Sequence, residues 1–263
     1  MLPNFDDGAE NLETALQMAR IAVDDGITHL ACTPHIYPGL FNYDTQQIES
    51  ATNAFRHELE KAQIPLKLGM GADIQLVSEM VQRLNDGSMP TINQSSYLLF
   101  EPPHHIAPSG FEEAVFNVIA AGYVPVITHP ERLSWIETHY EEFIKVTELG
   151  AWMQITAGSL TGNFGSRPQH WAEKMLNDGI VHLLATDAHN LTRRAPILSA
   201  GKASAAKLVG QQEADELVNA RPMAIWNNTP VNQVSRPPAF DNDGEFKLKN
   251  KSRRSLLSRL FTN

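Results

Sequence analysis

Five apolar runs in this chain each finish on His, Asp or Glu, and that repetition constrains the fold more than any other feature. They are Leu30-Ala-Cys-Thr-Pro-His35, Leu68-Gly-Met-Gly-Ala-Asp73, Tyr97-Leu-Leu-Phe-Glu101, Pro125-Val-Ile-Thr-His129 and Leu183-Leu-Ala-Thr-Asp-Ala-His-Asn190. Packing gives no reason for five buried runs to end this way. A parallel α/β fold does, because its chemistry gathers at the carboxyl ends of its strands.

Helical periodicity fills the intervals. Leu12, Ala15, Leu16, Ala19 and Ala22 share one helical face, and further helices are expected over 45–63, 77–84, 111–121, 140–149, 168–176, 197–209 and 213–219. Six strands are expected, over 27–33, 66–73, 96–101, 124–128, 152–156 and 180–186. Regular alternation of strand and helix implies parallel strands joined by crossover helices. A chain of 263 residues is within range of a single α/β barrel. Ligand-type residues at five separate strand ends point to such a barrel, whose strand ends converge on one mouth. An open doubly wound sheet is the alternative. It brings a Gly-rich phosphate loop after its first strand, and none follows residues 27–33.

Charge narrows the partners. The chain carries a net −9, yet residues 236–263 hold seven Lys/Arg against three Asp/Glu, so residues 1–235 stand at −13. A body that acidic argues against nucleic acid, which needs a basic surface. Bound cations would offset part of the charge. Two units are expected: a barrel domain over 1–235 and a basic, disordered tail over 236–263. Leu256, Leu257, Leu260 and Phe261 near the end of the tail leave room for weak contact with an anionic membrane surface. No run reaches the roughly 18 apolar residues of a membrane span. The acidic start, Met1-Leu-Pro-Asn-Phe-Asp-Asp-Gly8, is no secretory signal. Cys32 is the lone cysteine, so a reducing cytoplasm is the expected location.

Carboxylate oxygens and imidazole nitrogens together suit hard and borderline divalent metals. The candidate ligands are Asp7, His35, Asp73, Glu101, His129, Asp187 and His189. Singly, each has a plainer explanation. Asp7 could cap a helix, Asp73 could be a solvated loop residue, and His35 and His129 could be structural. The Asp187-Ala-His189 pair is the strongest, and the set as a whole carries the argument. Such a cluster fits two or three ions that generate hydroxide and clamp a phosphoryl group. Arg132 and Arg194 are suited to hold that phosphate, whereas Arg193 reads as a surface residue. His104 and His105 read as solvated loop residues at the mouth. His29, His57, His139, His170 and His182 read as structural or surface groups. Cys32 reads as a buried strand residue, because a cysteine phosphatase needs an Arg six residues on and position 38 is Pro.

Phe5-Asp-Asp-Gly-Ala9, Thr33-Pro-His35, Phe100-Glu101, Ile127-Thr-His-Pro-Glu-Arg132, the 155–165 segment Ile-Thr-Ala-Gly-Ser-Leu-Thr-Gly-Asn-Phe-Gly and Thr186-Asp-Ala-His-Asn190 resemble the polymerase and histidinol phosphatase (PHP) superfamily. Within it they are similar to the CpsB/CapC type of protein-tyrosine phosphatase, over about residues 1–230. The resemblance implies a distorted (β/α)7 barrel and a cluster of divalent ions, usually Mn2+. It implies that water activated by those ions dephosphorylates the phosphotyrosine tail of a bacterial tyrosine autokinase that controls capsule or exopolysaccharide export. It implies that Asp7, His35, Glu101, His129, Asp187 and His189 are ligands, and that Arg132 and Arg194 hold phosphate, with His189 counted in the catalytic set.

Two departures stand out. The family has Glu where this chain has Asp73, one methylene shorter. The family also begins with a strand ending in His-x-His just ahead of Leu-Pro, whereas this chain opens at Met1-Leu-Pro. A barrel short of its first strand is therefore expected, with fewer ions than usual. The favoured explanation is a start set at an internal Met of a longer protein; the other is a crippled site in a truly short chain. Two alternative functions stay open: a small-molecule PHP phosphatase for a substrate like histidinol phosphate, and a non-catalytic kinase-binding regulator.

Overall fold

The computed structural model describes residues 1–240 and 244–248. The strands are β1 (His29–Cys32), β2 (His35–Ile36), β3 (Lys67–Met70), β4 (Asp73–Gln75), β5 (Tyr97–Glu101), β6 (Val124–Thr128), β7 (Trp152–Thr156) and β8 (Leu183–Ala185). All pair in parallel, β1 with β3 and the rest in the order β2-β4-β5-β6-β7-β8. The strand expected over 66–73 is thus broken at Gly71 and Ala72, and the one expected over 27–33 is followed by an unexpected short strand, β2. Pro34 separates β2 from β1, since it has no N–H for a ladder. Pairing still bridges the break: Gly71 N donates to Cys32 O at 2.9 Å and Asp73 N to Pro34 O at 3.0 Å.

Every residue of β5, β6 and β7 is buried. That is the signature of parallel strands covered on both faces, and it accounts for their unbroken apolar sequence. The outer layer includes α1 (Leu12–Asp24), α2 (Thr45–Lys61), α3 (Met80–Asn85), α4 (Phe111–Ala120), α5 (Ile136–Leu149), α6 (Ala157–Leu160), α7 (Ser166–Asp178) and α8 (Ser199–Val209). Local chemistry sets their ends. Asn11 caps α1 by accepting from Thr14 N, so Asp7 is not the cap. Asp44 and Gln47 close a capping box on α2. Gly150 ends α5 with φ 114°, a conformation open to glycine.

β8 is one end of the six-stranded sheet and has no hydrogen-bonded partner strand on its outer side among the described residues. Between it and β1 lies a cavity of about 440 Å³, lined by Leu30, Ala31 and Thr33 on one side and Leu183, Leu184 and Ala185 on the other. The barrel is open along that seam among the described residues.

The packed unit runs past residue 235, where the domain was expected to end. Ala239 is fully buried and its N–H donates to Gly179 O, while Phe246 and Leu248 pack against the main core. The stretch 249–263, with the membrane contact expected of it, lies outside the described residues.

Arg221 organises this region. Its side chain is buried, pairs with both oxygens of Glu213 at 2.6 and 3.0 Å, and donates to the carbonyls of His182, Ser235 and Arg236. Arg221→Ala leaves a carboxylate and three carbonyls without their donor. A loss of about 3–5 kcal/mol in unfolding free energy is expected, read from the urea midpoint. A midpoint within experimental error of the parent would contradict this.

Candidate metal centre

The seven residues expected as ligands meet at one mouth. Asp73 opens β4, in register with His35 at the start of β2. Glu101 closes β5, His129 follows β6, and Asp187 and His189 follow β8. Asp7 comes from the loop ahead of α1. Asp7 Oδ1 lies 3.3 Å from His189 Nε2 and 3.7 Å from His35 Nε2. His35 Nδ1 lies 3.2 Å from Glu101 Oε2. His129 Nε2 lies 3.5 Å from Glu101 Oε1 and 3.6 Å from Asp73 Oδ2. Arg132 and Arg194 both donate to Asp187 Oδ2, Arg194 at 2.6 Å.

The backbone bends where the ligands leave the strands. His129 has φ 35° and Asp187 φ 49°, left-handed values that cost roughly 1–3 kcal/mol for residues with side chains. Pro130 then starts a tight turn that carries Glu131 and Arg132. His189 Nδ1 sits 2.9 Å from the Asp187 carbonyl. A carbonyl only accepts, so Nδ1 carries the proton and Nε2, which faces Asp7 Oδ1, is the ring atom left to ligate.

Supporting residues that sequence reasoning passed over are visible here. Asp6 Oδ2 accepts from His35 N at 3.1 Å and its Oδ1 from Gly8 N at 3.0 Å, which ties the Asp7 loop to β2. Glu131 is fully buried, and its Oε1 accepts from Thr156 N and Ser159 Oγ at 3.0 and 2.7 Å. It anchors the Arg132 turn to the end of β7, and burial pushes its carboxyl up. Phe164 lies under Arg132, with the guanidinium carbon 4.5 Å from the ring centroid. Gly158 permits this: a Cβ there would stand 3.0 Å from the ring. A cavity of about 220 Å³ opens beside it, lined by Thr161, Phe164, Arg194 and Ile197 among others.

The electrostatics call for cations. Asp7, Asp73, Glu101 and Asp187 bring four carboxylates, while both guanidinium groups contact Asp187. Asp73 is buried, not a solvated loop residue, and burial next to Glu101 raises its carboxyl. Burial opposes the charge of Glu101 too, but contacts with His104 and His35 hold it below the usual carboxylate range. Burial pulls His35 down, but Glu101, Asp73 and Asp7 outweigh it and bring it to about 9. His189 holds Asp7 down at about 2. His129 Nδ1 is buried without a hydrogen bond, while His35 Nδ1 faces Glu101 Oε2. A buried imidazole atom without a partner beside clustered carboxylates fits divalent cations with O and N donors.

His104 departs from its expected place in solvent. Its Nε2 is 3.6 Å from Glu101 Oε1, whereas His105 is exposed. Arg193 is exposed as expected. Cys32 is 1% exposed inside β1, and burial pushes its thiol up to about 11. It is no nucleophile.

A parallel barrel that gathers carboxylates, imidazoles and paired guanidinium groups at its strand ends is a PHP-type fold with a candidate metal centre. More narrowly, the chain belongs to the CpsB/CapC family of capsular polysaccharide synthesis, whose pattern matches residues 1–227. It is similar to the tyrosine-protein phosphatase YwqE of Bacillus subtilis (strain 168), with 33% identity over 194 residues, 74% of this chain and 76% of that protein. It is similar to the tyrosine-protein phosphatase CpsB of Streptococcus agalactiae, with 26% identity over 230 residues, 86% of this chain and 95% of that protein. Among solved structures it superposes with TM-score 0.85 and 30% identity on a chain from a set described as YwqE from Bacillus subtilis and CpsB from Streptococcus pneumoniae, "unique metal-dependent tyrosine phosphatases". The match covers 90% of this chain and 94% of that one.

Proposed function

We propose that this chain hydrolyses phosphotyrosine in proteins with the help of divalent ions. Asp7, His35, Asp73, Glu101, His129, Asp187 and His189 hold the ions, and Mn2+ suits their mixed O and N donors. Bound there, the ions supply a water of lowered pKa and positive charge at the phosphoryl oxygens.

The observation that carries the reading is the convergence of Arg132 and Arg194 on one oxygen of Asp187, at the rim of the carboxylate–imidazole cluster. Two guanidinium groups fixed by one carboxylate keep other N–H groups for a phosphate dianion. Phe164 steadies Arg132 from the other face, and the cavity next to Arg194 offers room for a phenol ring. The tyrosine-phosphatase names of the relatives support the same substrate class. The kinase tail proposed as the natural substrate belongs to a bacterial tyrosine autokinase of capsule or exopolysaccharide export. The family's link to capsular polysaccharide synthesis supports that placement. A cytoplasmic setting is proposed for this encounter; among the described residues no helix is long and apolar enough to cross a membrane.

Substrate choice tests this. With Mn2+ present, kcat/KM for a phosphotyrosine peptide is expected to exceed that for histidinol phosphate by about 10²-fold, in keeping with the discrimination that pocket contacts give. A reversed order would assign the site to a small phosphomonoester. Tight peptide binding without turnover would make the chain a binding protein.

A further inference from the structure

The geometry points to His104 as an additional ligand, sharing a divalent cation with Glu101 and His129. This rests on reading the mouth as a metal centre, and it adds to the centre a residue that the strand-end pattern does not include.

Position is the first argument. Two donors each about 2.1 Å from one ion stand roughly 3.0–3.5 Å apart in octahedral or tetrahedral geometry. Glu101 Oε1 is 3.6 Å from His104 Nε2 and 3.5 Å from His129 Nε2. The three ligand atoms lie within 4.8 Å of one another. The His104 and His129 rings have centroids 4.9 Å apart and planes tilted by 31°. Both nitrogens thus stand close to the separation from Glu101 Oε1 that ligands of a shared ion adopt.

Rigidity is the second. His104 lies beyond Pro102 and Pro103, which restrict the backbone between it and Glu101. Its own carbonyl accepts from Ser134 N at 2.9 Å and from Ser134 Oγ at 3.1 Å. The carbonyls before and after it are held as well, Pro103 O by Trp135 Nε1 at 2.8 Å and His105 O by Ser134 Oγ at 3.2 Å. These donors come from the segment just after Arg132, so one loop is braced against the other across the mouth. A solvated loop histidine has no need of such bracing.

Compensation is the third. His129 is 3% exposed with Nδ1 unpartnered, and Asp73 beside it is a short side chain already engaged by Thr128 Oγ1 at 3.1 Å. An ion near Glu101 and His129 therefore gains a neutral nitrogen donor from His104 where a longer carboxylate would reach further than Asp73 does.

Equilibrium dialysis of the full chain against Mn2+, with ion content measured directly, tests this. The parent chain is expected to bind Mn2+, and His104→Ala to weaken one site by about tenfold or more, the scale seen when groups around a metal are removed. His105→Ala is expected to match the parent. His104→Asn, which keeps a polar side chain, is expected to fall between them. His104 is about one-third exposed, so each variant should keep the parent's ion-free circular dichroism and cooperative melting with at most a small fall in melting temperature, which separates a lost ligand from a lost fold. A parent that binds Mn2+ with His104→Ala binding it identically overturns the assignment and leaves the metal centre standing. A parent that binds no divalent ion overturns both.

Discussion

Stripping divalent ions with a chelator is expected to lower hydrolysis of p-nitrophenyl phosphate by about 10³-fold or more, and Mn2+ is expected to restore it. A metal contributes several kcal/mol of transition-state stabilisation, and each 1.36 kcal/mol is tenfold in rate. Nothing else at the mouth replaces it. Cys32 lies buried in β1 with its thiol held protonated, and Arg132 and Arg194 position charge but attack nothing. The same treatment should lower the melting temperature, since ligands that bind only the folded state stabilise it by mass action. Without ions, Asp73 and Glu101 face each other in a buried site, each opposing the other's charge. Full turnover by a preparation shown to hold less than one ion per chain would sink the metal-dependent reading.

Much of the site was legible because parallel strands write it linearly. Buried strands of one sheet read as apolar runs, and their carboxyl ends share a mouth, so His35, Glu101, His129, Asp187 and His189 could be gathered without coordinates. Asp73 was harder, because Gly69, Gly71 and Ala72 give weak strand signals. What closed it in was register: its pairing with His35 brings it into the cluster. His104 was misplaced for a physical reason. Two prolines and two histidines read as solvated loop, and the donors that fix the loop, Ser134 and Trp135, lie about thirty residues on. Glu131 and Asp6 were hidden in the same way, since their partners are long-range backbone N–H groups. The end of the packed unit was missed because Ala239, Phe246 and Leu248 show no helix or strand period while still covering the core.

Arg132→Met and Arg194→Met are each expected to cut kcat/KM for a phosphotyrosine peptide by about 10²–10³-fold, the scale of losing one preorganised donor to developing charge. Both donate to Asp187, so their effects should not add, and the double variant should fall well short of the product of the singles. Lysine at either position should rescue little, because a point charge cannot bond Asp187 and a phosphate in the same fork. Asp187→Asn should separate positioning from charge. It keeps the shape and both arginines but weakens the anchor that aligns them, and it removes a candidate ligand. Mn2+ binding should therefore drop for Asp187→Asn and hold for Arg132→Met and Arg194→Met. If the arginine variants lost ions as readily as Asp187→Asn, the guanidinium groups would be organising the cluster rather than holding phosphate. If they kept their ions and full turnover, phosphate would be held elsewhere at the mouth. Retained ions with lost turnover is the outcome that the shared Asp187 oxygen predicts.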